Sequence, residues 1–160
     1  MSSRFRALAV AAMLAGAAAW ADGGPSFAVD AGAIDVIGLP PAQLGFYPYV
    51  GVSVAIPAGP VAFIPGLSIE GSPDAMRWGG VATLAIDYGL TKDLGIDLNL
   101  ALIHDQAGLD FANALFFFGA GPGVSFFLGR FTVSASVGIF RGLNVDAWAV
   151  VPALNVAYSF

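Results

Sequence analysis

In residues 94–102, Leu94-Gly95-Ile96-Asp97-Leu98-Asn99-Leu100-Ala101-Leu102, every even position is a large aliphatic and every odd one is small or polar. Successive side chains of a strand point to opposite faces, so a period of two specifies a strand with two unlike faces. A helix would mix the two sets. The pattern returns in 131–139, where Phe131, Val133, Ala135, Val137 and Ile139 alternate with Thr132, Ser134, Ser136 and Gly138. It returns again in 81–90, where Ala82, Leu84, Ile86, Tyr88 and Leu90 share a face opposite Val81, Thr83, Ala85, Asp87 and Gly89. Weaker copies run through 50–56 and 61–70.

Eight strands are expected, at about 46–56, 60–70, 80–91, 94–104, 111–120, 123–129, 131–141 and 145–160. Turn signals divide them: Ala58-Gly59-Pro60, Gly71-Ser72-Pro73-Asp74, Thr91-Lys92-Asp93, Gly121-Pro122-Gly123 and Gly142-Leu143-Asn144. The stretch from Phe27 to Ile37 alternates poorly, because Asp30 and Asp35 fall on opposite parities. Residues 22–45, with Pro40-Pro41, are therefore read as a leader of uncertain structure, and 46–160 as the β-domain.

Alternation alone does not separate a barrel in lipid from a soluble one, which would put its bulky groups inside. Composition decides. The chain of 160 residues is 58% hydrophobic and only 11% charged, with mean hydropathy +0.79. A soluble domain carries about 25% charged residues. The polar face consists of Gly, Ala, Ser, Thr and Asn with an occasional Asp, too weakly charged for an exterior in water. It suits the crowded lumen of an eight-stranded barrel, with the aliphatic face against lipid. Closure is required because hydrocarbon cannot satisfy an open sheet edge.

The N-terminus reads as an address. Arg4 and Arg6 precede the apolar run Ala7 to Ala19, and Ala19-Trp20-Ala21 fits the small-x-small cleavage rule. Residues 1–21 are thus expected to be a cleaved signal peptide, with Asp22 the mature N-terminus. The apolar run of about 13 residues is shorter than the roughly 20 that span a bilayer as a helix. Beyond Ala21, four basic residues (Arg77, Lys92, Arg130, Arg141) face eleven acidic ones, a net charge of −7. No basic patch exists to neutralise phosphates, so nucleic acid is not an expected partner. A helical membrane protein is disfavoured as well. The uncharged segment 36–69 holds Pro40, Pro41, Pro48, Pro57, Pro60 and Pro65, and each interior proline costs a helix about 3 kcal/mol.

The chain ends on Leu154, Val156, Tyr158 and Phe160 in alternation, with a terminal phenylalanine. This resembles the C-terminal strand signature of bacterial outer-membrane β-barrel proteins, and the whole resembles the small eight-stranded barrels of the OmpA/OmpX transmembrane type. The resemblance implies an all-β, antiparallel, up-and-down transmembrane barrel in the outer membrane. It implies outer-membrane lipids as partners, and recognition of Phe160 by the barrel-assembly machinery. Two departures stand out: Pro152 interrupts the last strand, and all the inter-strand connections are short. Phe46, Tyr47, Tyr49, Trp78, Trp148, Tyr158 and Phe160 lie near strand ends, compatible with interfacial girdles.

No catalytic, cofactor-binding or metal site is assigned. There is no cysteine, so thiolate chemistry is excluded. His104, the sole histidine, could be the base of a lipid-modifying barrel, but no motif surrounds it and a base needs a nucleophile and an orienting group. Glu70, Asp87, Asp97 and Arg130 fall on inward parities. They are read as a hydrogen-bonded lumenal network, with an ion pathway as the sharper alternative. Gly119-Ala120-Gly121-Pro122-Gly123 misses the dinucleotide fingerprint and precedes a strand rather than a helix, so it is read as turn glycines. The function expected is a structural or envelope-interaction role. A lipid-modifying enzyme or a narrow-pore, porin-like transporter are the alternatives.

Overall fold

The computed structural model describes residues 24–38, 45–72, 76–107 and 114–160. The proposed signal peptide lies outside the described residues. Eight antiparallel strands close into one up-and-down barrel: β1 (Ser26–Gly38), β2 (Gly45–Ala58), β3 (Val61–Ser72), β4 (Arg77–Gly89), β5 (Leu94–Ala107), β6 (Leu115–Leu128), β7 (Phe131–Gly142) and β8 (Trp148–Ser159). Each strand pairs with its neighbours in sequence, and β1 pairs with β8 to remove the last edge.

The number of strands matches expectation, but two of their identities do not. Ser26–Gly38 is a barrel strand rather than part of a leader. Its inward face is Ala28, Asp30, Gly32, Ile34 and Val36; Asp35 points outward and is exposed near the end of the strand, where a charge can reach water. A rim residue thus broke the parity that would have revealed β1. The second difference is that 111–120 and 123–129 are not two strands. Leu115–Leu128 runs unbroken through Gly121-Pro122-Gly123, so the expected turn there does not exist. The turns at Gly59, at 90–93 and at 143–147 do form. Gly59 (φ 67°) and Gly129 (φ 73°) adopt the left-handed backbone that the two-residue connections 59–60 and 129–130 require.

Register fixes the shape. Crossing from Ala28 to Ser53, Gly66, Thr83, Ala101, Gly119, Phe140 and Ala149 returns to β1 at Gly38, ten residues beyond the start. With eight strands, that stagger corresponds to a strand tilt of about 40°. The start of β1 and the end of β8 lie at one end with connections 59–60, 90–93 and 129–130; at the opposite end successive strands are separated by longer stretches of sequence, four to seven residues against two to four. At that opposite end Asn144 ties the β7–β8 connection to β6. Its Oδ1 accepts from the Phe116 amide (2.9 Å), and its Nδ2 donates to the Ala114 carbonyl (2.7 Å).

The bulky face is outside, as the composition of the two faces requires. Phe27, Leu67 and Ile69 are each 66% exposed, Ile139 is 60% exposed, and Leu98 is 46% exposed. Every strand exposes large apolar side chains, whereas a soluble monomer rarely presents large apolar patches to water. Prolines sit in this exterior, and three of them coincide with breaks in the ladder. Direct pairing lapses at Pro65 in β2–β3, at Pro122 in β6–β7 and at Pro152 in β1–β8. Each lacks the amide hydrogen that a ladder bond needs.

Candidate functional site

Apart from Gln106, which is buried on the opposite parity of β5, the buried polar side chains project from the inward parity, and they are layered along the axis. At the end with the longer connections, Arg77 on β4 donates through Nε to Asp105 Oδ2 of β5 at 2.7 Å, in a largely buried ion pair. Glu70 on β3 is 3% exposed and directly opposite Gly79 on β4, which is in turn opposite Asp105. Gly79 is forced by close approach, because any side chain there would collide with the His104 carbonyl.

Below this rim lies an apolar plug. Ile34, Tyr47, Val81, Ile103, Phe140 and Val151 pack together across the lumen, with Phe117 and Tyr49 against them. Glycine on β6 makes room for it: a Cβ at Gly119 would overlap the Phe140 ring. The plug forms the roof of a chamber of about 200 Å³ in the short-turn half of the barrel, enough for on the order of ten waters. Ser, Thr, Ala and Gly dominate its walls, so the lumen is packed solid in one half only. The expectation of a lumen filled throughout by side chains holds for the plug and fails for the chamber, where inward residues are too small to meet.

Three carboxylates line the chamber, namely Asp30, Asp87 and Asp97, and no Lys, Arg or His is among its described lining residues. Asp97 accepts from Ser125 Oγ at 2.8 Å through Oδ2 and from Asn99 Nδ2 through Oδ1. Asp30 Oδ1 accepts from Ser53 Oγ at 3.1 Å. Asp87 is register partner to Asp97 and only 1% exposed.

The residues singled out from sequence are therefore not one cluster. Glu70 belongs to the rim, whereas Asp87 and Asp97 belong to the chamber. Arg130 does not face the lumen at all: it sits exposed in the two-residue turn with Gly129, because β6 ends at Leu128 and β7 starts at Phe131. Among the described residues the largely buried cation is Arg77. It shares the odd parity of Asp87 along β4, and Asp105 shares that of Asp97 along β5; extending either alternation to the strand end would have found the pair. Asp30 was missed with β1. His104 faces outward, its ring 5.1 Å from that of Phe116, while its neighbour Asp105 is committed to Arg77 inside. Among the described residues no group of three or more His, Cys, Asp or Glu converges as a metal-ligand set.

A closed, tilted, eight-stranded antiparallel barrel with an aliphatic exterior and a plugged interior is the fold of the small outer-membrane barrels. Among solved structures the chain is similar to Neisserial surface protein A (NspA), with a TM-score of 0.57 and 14% identity over 86% of this chain and 97% of that one. It is also similar to the N-terminal β-barrel domain of OprF from Pseudomonas aeruginosa, with a TM-score of 0.50 and 16% identity over 83% of this chain and 97% of that one. No protein-family model and no curated protein matches the chain.

Proposed function

We propose that this protein is an integral outer-membrane barrel that serves the envelope through structure or interaction, without conducting solute and without catalysis. One observation carries the reading: a continuous apolar exterior surrounds a lumen plugged by Ile34, Tyr47, Val81, Ile103, Phe140 and Val151. The exterior is what acyl chains solvate at no cost, and the plug stands in the way of a through pore. Short turns characterise the periplasmic end of such barrels, so the end at which β2, β4, β6 and β8 begin faces outward from the cell and is the one available to partners. The placement of His104 against Phe116, away from any paired carboxylate, supports the non-enzymatic reading.

Export through a cleaved signal peptide and delivery to the assembly machinery by the chain end complete this reading. Phe160 is 73% exposed, its ring packs edge-on against Tyr158 at 4.8 Å, and its amide closes onto the Phe27 carbonyl at 3.0 Å. The protein is expected in the outer-membrane fraction, beginning at Asp22, and migrating faster on gels when unheated than when boiled. Recovery from the soluble fraction, or identical migration with and without boiling, would refute the membrane reading.

A further inference from the structure

We infer that the chamber in the short-turn half of the barrel binds one hydrated divalent cation, held between Asp87 and Asp97. The two residues are direct register partners on β4 and β5, which places their Cβ atoms about 4.5–5.5 Å apart. Glycines keep the space around them clear. A Cβ at Gly95 would overlap the Asp87 carboxylate, and one at Gly123 would overlap both Asp97 and Asn99.

Charge alone does not define a site, but the same chamber also collects buried polar oxygens without partners. Asp87 Oδ1, Asn155 Oδ1 and Ser159 Oγ are buried with no partner within the protein, and all three residues line it. Ser159 is 3% exposed and comes from β8, across the barrel from the carboxylate pair. Water can donate to these oxygens but brings no positive charge. Carboxylates enclosed by protein without a counter-charge are costly, and the chamber has no basic side chain among its described lining residues. Donors that are all oxygen select a hard cation, and an ion of the Mg²⁺ or Ca²⁺ kind is held by one or two carboxylates with water completing its shell. The chamber has room for that water.

Equilibrium dialysis of the folded protein in phosphate-free detergent tests this with CaCl₂ and MgCl₂, in choline chloride at matched ionic strength. One ion per barrel is expected. Asp87→Asn and Asp97→Asn should each weaken binding at least tenfold, while Glu70→Gln at the rim leaves it unchanged. Gel migration with and without boiling verifies that each variant is folded. The inference is overturned if the wild-type protein takes up no ion saturably, a result that needs no variant. It is overturned equally if either folded Asn variant retains wild-type affinity.

Discussion

Arg77 is the residue on which the interior charge balance at the rim depends. Its guanidinium meets Asp105 28 positions away along the chain, with side chains only 19% and 11% exposed. Breaking a buried pair leaves an uncompensated charge, whereas replacing both partners with apolar groups is often neutral. Arg77→Met should therefore lower stability by about 3 kcal/mol. Arg77→Met combined with Asp105→Leu should recover most of it, as read by urea unfolding in vesicles. A double variant that loses the sum of the two single-variant losses would mean that the pair is not coupled. At this scale the sequence was half legible. The inward parity of Glu70, Asp87 and Asp97 followed directly from alternation, but Arg130 was misplaced because parity extrapolated past the end of a strand means nothing in a turn.

The strands carry an unusual feature for a membrane barrel, namely prolines inside the ladder. Pro65, Pro122 and Pro152 all lie on the outward parity, and pairing lapses beside each of them. Every lapse leaves a carbonyl without its ladder donor, and a net backbone hydrogen bond contributes about 1 kcal/mol. Pro122→Ala should restore the missing donor between β6 and β7 and stabilise the barrel by about 1 kcal/mol. Hydrogen exchange would show a new protected amide at position 122. If the new amide exchanges as fast as those of the exposed turns, the lapse is not caused by the proline. The same residue explains why β6 was hard to read: Gly-Pro-Gly is a turn signal by local chemistry, and here it is a strand segment because inward glycines admit the Phe140 ring at Gly119 and the Asp97 carboxylate at Gly123.

For the molecule as a whole, the order of layers governs transport. The apolar plug lies between the charged rim and the chamber, so ions at either end do not share a continuous aqueous path. Planar bilayers containing the wild-type protein should show no resolvable conductance steps. Ile103→Ala with Phe140→Ala removes two of the plug's larger side chains and should introduce steps. Steps of equal size from both proteins would show that the plug does not seal the lumen.

The chain's own alternation determined that its strands have unlike faces, because facing is a local property with a period of two, and its composition determined that the aliphatic face is outside and that the sheet must close. The closing partner of β8, the meeting of Arg77 with Asp105, and the division of the interior into plug and chamber were decided only by tertiary structure. These depend on the ten-residue stagger and the strand tilt, which set how far along the axis each inward side chain projects. Neighbours inside the barrel are consequently drawn from strands remote in sequence, and no local pattern encodes their height.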